Sequence, residues 1–280
     1  MKLLSIFALI VVTTLVLGLA ALWLLRRADA RAVEREWNRL SALANPSPAA
    51  FDPMALENLP EPAQRYLKWA LRPGAPLARV AVLEMTGHFG LGDKTDPKYQ
   101  PMRARQILVA PDGFVWDMRT IGGLPLAGSD TGEWTRFALA GFLPVARMGG
   151  STDHRRSAFG RLLAEAAVWS PASLLIGSGV DWSAPAPDVV RISTVRDGVT
   201  HAVDVHLAPD GAPLSFGLER WSNANPEKRW QAQPFGGVLS DYREVQGHRL
   251  PFHVEAGNFF GTPGYFPFFI ADVTAIRFSG

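Results

Sequence analysis

Hydrophobic and polar positions divide the chain into three zones. Over residues 3–25, 23 consecutive positions carry no charge and are dominated by Leu, Ile, Val, Ala and Phe. At about 1.5 Å per residue a helix of this length reaches roughly 34 Å, against a bilayer core of about 30 Å, so the pattern predicts a transmembrane anchor over residues 1–27. Small residues at Ala28, Ala30 and Ala32 keep a cleavable signal peptide as the rival reading. A signal core usually spans about 7–15 residues, and the Arg26-Arg27 flank suits a stop-transfer anchor better. In the second zone Val33, Trp37 and Leu40 recur at helical spacing among charges, which predicts an amphipathic stalk to about Leu43. Pro46, Pro48, Pro53, Pro60 and Pro62 then crowd 17 residues and remove amide donors. Residues 28–58 are therefore expected to form a helical stalk and a Pro-rich extended linker.

The third zone, residues 59–280, reads as a single β-rich domain. It opens on a helix over residues 61–71 with Ala63, Tyr66, Leu67 and Ala70 on one face, stopped by Pro73-Gly74. Alternation with period two then takes over: Leu83, Met85 and Phe89 point one way, Glu84, Thr86 and His88 the other. Similar runs fall at 103–109, 114–119, 189–195, 199–207, 214–220, 238–245, 250–255 and 272–278. Pro111-Asp112-Gly113, Asp197-Gly198 and Pro209-Asp210-Gly211 lie between runs and favour tight antiparallel hairpins. One helix interrupts them at 157–169, with Phe159, Leu162, Leu163, Ala166 and Trp169 as its apolar stripe and Pro171 as its stop, and a short turn at 172–176 follows. An open sheet must bury its apolar side. The expected fold is thus an N-terminal transmembrane helix followed by a mainly β domain, a curved, half-barrel-like antiparallel sheet with one or two packed helices. No period of 20–50 residues recurs, which disfavours a propeller or solenoid.

Charge changes the list of partners. The chain carries a formal net charge of +2, and its pI is near 9.1. Setting aside Lys2, Arg26 and Arg27 at the span leaves 25 basic against 26 acidic side chains, so the domain itself is near neutral. No dense basic run follows Arg39, which argues against nucleic acid. With no cysteine there is neither a disulfide framework nor a lipidated cysteine. Arg26, Arg27, Arg31, Arg35 and Arg39 after the span, against Lys2 before it, favour a cytoplasmic domain by the positive-inside rule.

Motifs for catalysis are weak. Asp130-Thr131-Gly132 matches the core of an aspartic protease, but no second copy exists and Ala127-Gly128-Ser129 precedes it, so a surface turn is the better reading. His253 and Glu255 would share a strand face as metal ligands could, while His201 and His206, five apart, fall on opposite faces; no metal site is expected. Gly87-His88-Phe89-Gly90-Leu91-Gly92 lacks the order of a nucleotide loop, and Gly177-Ser178-Gly179 lacks the spacing of a nucleophile elbow. Neither a catalytic residue nor a cofactor is expected. Glu165, off the apolar stripe and one turn from Arg161, reads either as a solvated ion pair or as a polar anchor in an apolar pocket under the helix, paired with Arg103 or Arg119. Trp116 and Trp169 join that expected pocket. The stretch 259–269 carries six aromatics broken by Gly261, Pro263, Gly264 and Pro267, which predicts a loop whose Phe259, Phe260 and Phe266 pack in the core, gate the pocket or touch lipid.

Four stretches together resemble an uncharacterised bacterial family of single-span membrane proteins. They are Leu59-Pro60-Glu61-Pro62-Ala63-Gln64-Arg65-Tyr66-Leu67, Gly113-Phe114-Val115-Trp116-Asp117, Leu162-Leu163-Ala164-Glu165-Ala166 with Trp169-Ser170-Pro171, and Asp241-Tyr242-Arg243 with Gly247-His248-Arg249-Leu250-Pro251. The last stretch is also similar to a strand-turn-strand segment of bacterial periplasmic lipoprotein carriers, half-barrels that close around a helix and hold acyl chains. That looser resemblance implies a periplasmic domain, the opposite of the charge rule. The function expected is a tethered module that binds a lipid or another apolar ligand; an envelope enzyme using carboxylates such as Glu165, or a protein-interaction module, are the alternatives.

Overall fold

The computed structural model describes residues 2–177 and 179–279; Ser178 of the Gly177-Ser178-Gly179 turn lies outside the described residues. The apolar run forms one helix, α1 (Lys2–Ser41), which continues unbroken through the charged positions because no proline or cap interrupts it. Along residues 4–24 its large side chains are mostly exposed. Its outer part departs from the expected free stalk. Val33, Trp37 and Leu40 lie on the domain against Val80, Ile107, Val109 and Val115, so the apolar stripe is a seat on the sheet. Ion pairs fasten it: Asp29 to Arg136 and Arg147 at 2.8 and 2.6 Å, and Glu34 to Arg105 at 2.6 Å. The Pro-rich stretch is likewise part of the domain. Phe51 and Leu56 are buried, Ala50 bridges Pro76, and the Asp52 carboxylate caps a 3-10 turn (Pro53–Leu56) by accepting from the Met54 N–H at 3.0 Å.

After α2 (Glu61–Ala70), six strands follow in order: β1 (Val80–Gly90), β2 (Tyr99–Val109), β3 (Gly113–Thr120), β4 (Leu126–Thr131), β5 (Trp134–Leu139) and β6 (Leu143–Gly149). Helix α3 (Thr152–Trp169) and a 3-10 turn (Pro171–Leu175) lead to seven more: β7 (Asp181–Ala186), β8 (Val189–Arg196), β9 (Val199–Leu207), β10 (Pro213–Ser222), β11 (Gln231–Val245), β12 (His248–Asn258) and β13 (Phe266–Ser279). They form a single antiparallel sheet in the order β6-β5-β4-β3-β2-β1-β13-β12-β11-β10-β9-β8-β7. The chain walks out to one edge, crosses on α3 to the other, and walks back until β13 meets β1. Strands β4 to β7 carry no alternating run. Gly128 and Asp130 break the pattern in β4, and β6 is an edge strand exposed nearly throughout. The aromatic stretch is also corrected: from Phe266 onward it is strand, not loop, with Phe269 paired to Phe89 and Ala256.

The sheet is strongly curled. Strands β4 and β10 are seven steps apart, which at about 4.8 Å per step would put them roughly 34 Å apart if flat. Yet neighbouring residues of α3 reach both: His154 Nε2 lies 3.3 Å from the Thr131 carbonyl, and Asp153 accepts from Trp221 Nε1 at 2.7 Å. Register shifts at Glu84/Met85, Phe137/Ala138, Pro213/Ser215 and Ala256/Asn258 supply local bends. Met102, Ala104 and Leu108 face the concave core, while Ile107 and Val109 face α1. Concave-side cover comes from α3 and α2, whose Tyr66 hydroxyl donates to the Ala167 carbonyl and whose Trp69 meets Tyr242 edge-on at 5.0 Å.

Leu40 of α1 is fully buried against the sheet, so Leu40→Ala is expected to cost about 2–5 kcal/mol, read from a urea midpoint in detergent. A second expectation concerns pH. His248 stacks on Phe278 at 4.0 Å and donates from Nε2 to the Pro76 carbonyl at 3.0 Å, leaving Nδ1 buried without a partner. Burial lowers its pKa, so the unfolded chain takes up that proton first, and the stability it supports is complete above about pH 6.5 and is lost as the pH falls. His253 shifts the other way, raised first by its 2.7 Å hydrogen bond to Asp272, so its contribution holds at low pH and fades as the pH rises. His248→Gln is therefore expected to flatten the fall in Tm between pH 7.5 and 5; an unchanged slope would show that another group controls it.

Candidate functional site

The curl and the α3 cover leave a cavity of about 190 Å³ between helix and sheet. Its walls are aromatic. Phe89 of β1, Trp116 of β3 and Phe137 of β5 line one side; Phe216 of β10, Phe235 of β11 and Phe268 and Phe269 of β13 line the other. Trp116 joins the two, 5.9 Å from both Phe89 and Phe269 and 6.2 Å from Phe137. From above, α3 adds Ala164, Val168 and Trp169 with the polar pair Arg161 and Glu165.

Strand register builds the polar half of the site. Gln106 pairs with Trp116, Trp116 with Asp130 and Asp130 with Thr135, one row across β2 to β5 on the concave face. Arg161 descends onto this row and bonds Asp130 Oδ2 and Glu165 Oε1, each at 2.6 Å. Gln106 Nε2 donates to the other Glu165 oxygen at 2.5 Å, and the Thr135 hydroxyl donates to Asp130 Oδ1 at 2.6 Å. Burial opposes the Arg161 charge, but the two carboxylates outweigh it and raise its pKa. Such a buried cluster is tolerated because its charges satisfy each other, while Gln106 Oε1 stays buried without a hydrogen-bond partner among the described residues. Arg161 also lies over the Phe114 and Trp116 rings, at 4.7 and 5.3 Å.

Arg220, the second cavity arginine, is different. Among the described residues it has neither an ion pair nor a hydrogen bond; its Nε is buried and unpartnered, and its guanidinium rests over Phe235 at 5.0 Å. Burial, then the Arg161 charge, pushes its pKa down to about 10. It stays charged at neutral pH. Trp116 Nε1 is a second buried donor without an acceptor, whereas the cavity's other indole, Trp169, donates to the Pro251 carbonyl at 3.2 Å.

Of the residues expected from sequence, Trp116, Glu165 and Trp169 meet at this cavity. Arg103 and Arg119 do not. They pair with each other across β2 and β3 on the opposite face and line a surface groove with Glu84 and Asp117, because the two-residue period turns them away from the Gln106–Trp116 row. Glu165 takes Arg161, one turn earlier, in their place. Phe259 turns the chain at φ +60°, Phe260 packs edge-on to Tyr265 at 5.2 Å beside a separate groove, and Phe266 lies on Tyr99 at 6.0 Å; none lines the cavity. Asp130, expected on a surface turn, lies in β4 as an Arg161 partner. Sequence reading missed Arg220, Phe137, Phe216 and Phe235. His253 Nδ1 and Nε2 face Asp272 and Glu255 at 2.7 and 3.4 Å, and among the described residues no group of three metal-ligating side chains gathers.

Removing Arg161 would leave two carboxylates buried together. Arg161→Met is expected to destabilise by about 3–5 kcal/mol at neutral pH, and the loss should shrink in Arg161→Met/Asp130→Asn, both read by urea denaturation.

No curated protein matches the chain. Among solved structures, a LolA superfamily protein from Nitrosomonas europaea is similar at 10% identity with a TM-score of 0.40, over 78% of this chain and 92% of that one. A domain described as an outer membrane lipoprotein-sorting protein from Vibrio parahaemolyticus is similar at 10% identity with a TM-score of 0.37, over 78% and 89%. The profile of the Family of unknown function (DUF6544) matches residues 49–270, which takes in α2, the cavity row, α3 and the start of β13, and the chain belongs to that family.

Proposed function

We propose that the protein is a membrane-tethered binding module that holds an amphiphile, with the apolar body among the cavity's aromatic side chains and an acceptor-bearing head at Arg220 and Trp116. The observation that carries this reading is the pair of buried donors without acceptors, Arg220 Nε and Trp116 Nε1, beside an apolar wall. A free cation calls for an anionic or strongly polar head, a carboxylate or phosphate. In size, an apolar cavity of about 150 Å³ holds benzene, so the space here suits a ring or a short length of acyl chain. Both cavity carboxylates are held by Arg161, which favours binding over catalysis through Glu165. The tether in this reading is α1, retained as an anchor: cleavage after Ala28, Ala30 or Ala32 would cut a helix whose outer part covers the sheet.

The test uses a brominated fatty acid, whose bromines quench nearby indoles, with the full chain in detergent. Saturable quenching is expected in the wild type and a roughly tenfold or greater loss of affinity in Arg220→Met, since a hydrogen bond to a charged group contributes about 1.5–3 kcal/mol. The same substitution removes an unpartnered buried group and should raise Tm by about 2–6 °C. Equal affinity in wild type and variant would end the assignment of the head to Arg220, and no saturable quenching in either would end the cavity reading.

A further inference from the structure

In an antiparallel meander successive turns alternate between the two ends of the sheet, so the β1–β2, β3–β4 and β5–β6 turns share one end and the β2–β3 and β4–β5 turns share the other. The second set is polar, with Asp112-Gly113 and Gly132-Glu133. In the first set the β1–β2 turn is charged as well, with Asp93, Lys94, Asp96 and Lys98 beside Leu91, but the β3–β4 and β5–β6 turns are apolar: Ile121, Leu124, Phe142 and Leu143 stand there with 44–50% of their surface exposed. Four large apolar side chains on two neighbouring turns at one end of a domain call for a partner.

Helix α1 fixes where that end points. Gly141, at φ +76° in the β5–β6 turn, lies so close to Arg26 that a Cβ there would come within 2.5 Å of its Nη1. Leu22 and Leu25, from the last turn of the apolar run, form one groove with Phe142 and Pro144 of the hairpin. Asp29 then engages Arg136 and Arg147, and thirteen residues beyond Arg26 the Arg39 Nη2 donates to the Asp112 carbonyl at the polar end, at 3.1 Å. The helix therefore runs along the sheet from apolar turns to polar turns. With Leu25 at the edge of the hydrocarbon and Arg26, Arg27 and the Trp23 ring under Arg27 at 4.3 Å at headgroup level, the β5–β6 turn sits at the same depth.

We infer that the apolar turns β3–β4 and β5–β6 lie in the bilayer interface as a second membrane contact beside α1, and hold the cavity end of the sheet against lipid. The cavity lies at that end: Phe89 is next to last in β1, Phe137 is near the end of β5, Phe235 is near the start of β11, and Phe268 is the third residue of β13. A bilayer occupant follows from continuity with the span, since the patch meets the membrane helix where its apolar run stops. The inference rests on α1 crossing the membrane, as in the proposed function, and does not need the cavity to hold a ligand.

The chain has no cysteine, so single substitutions take a polarity-sensitive dye at one site each. Leu124→Cys, Phe142→Cys and Leu143→Cys, in the full chain in phosphatidylethanolamine and phosphatidylglycerol vesicles, are compared with Leu15→Cys within the span and Leu214→Cys, an exposed site at the opposite end of the sheet. Nitroxide lipids labelled just below the headgroup are expected to quench the three turn sites at least half as strongly as Leu15, and Leu214 not at all. Turn sites as unquenched as Leu214 would overturn the inference. Quenched turns in a protein that shows no saturable fatty-acid binding would sustain the docking and remove the cavity reading; bound fatty acid with unquenched turns would do the reverse.

Discussion

A thirteen-stranded sheet that does not close has an apolar concave face and an apolar strip on its outer face to shield, and the solution to that constraint governs the rest of the molecule. The inner face is covered by α3, the crossover between the two edges, with α2 beside it. Val80, Ile107, Val109 and Val115 on the outer face are covered by the continuation of the apolar N-terminal helix. One helix is thus apolar and exposed in its first part and packed on the protein core in its last, with no break between the two. In the proposed function that continuity presents the domain to the membrane in a fixed attitude.

The same economy shapes the cavity. Arg161 and Arg220 are the same residue type, some of whose neighbours they share, yet they have opposite fates. Arg161 is placed by α3 above the row that register creates, where Asp130 and Glu165 converge on it. Arg220 comes from β10 on the far side of the curl, where, among the described residues, no carboxylate reaches it within ion-pair distance. Unpaired charge with a buried Nε is costly to a fold, and the proposed binding role rests on that cost.

Much of the architecture was legible in the sequence. Period-two runs located nine of the strands, the Asp-Gly turns paired β2 with β3 and β8 with β9, and Pro171 marked the end of α3. The site was legible only in part. Trp116, Glu165 and Trp169 stood out because their types are conspicuous in their elements. Arg220 did not, since nothing local separates it from a solvated strand arginine, and its isolation comes from strands brought near by curl. Asp130 was hidden for a related reason: it breaks the alternation of a short strand, and a broken pattern reads as a turn. Arg103 and Arg119 show the converse, in which chemistry outweighs parity: each lies three residues, an odd number, along its strand from the inward Gln106–Trp116 row and so faces the other way. The docking of residues 29–41 was equally invisible, because an amphipathic stripe has the same pattern whether it meets water, lipid or a sheet.

The pairing of β1 with β13 joins Val80 to Ser279, across almost the whole domain. As the polypeptide emerges, the first meander is made while its inner border still lacks a neighbour, and a raw row of amides and carbonyls waits for a strand some two hundred residues behind. Non-local closure of this kind is slow, and an open border is a template for unwanted annealing between nascent copies. With α1 as the anchor of the proposed function, its early capture by the bilayer would hold each copy in place through that interval, a constraint on folding as well as a mooring.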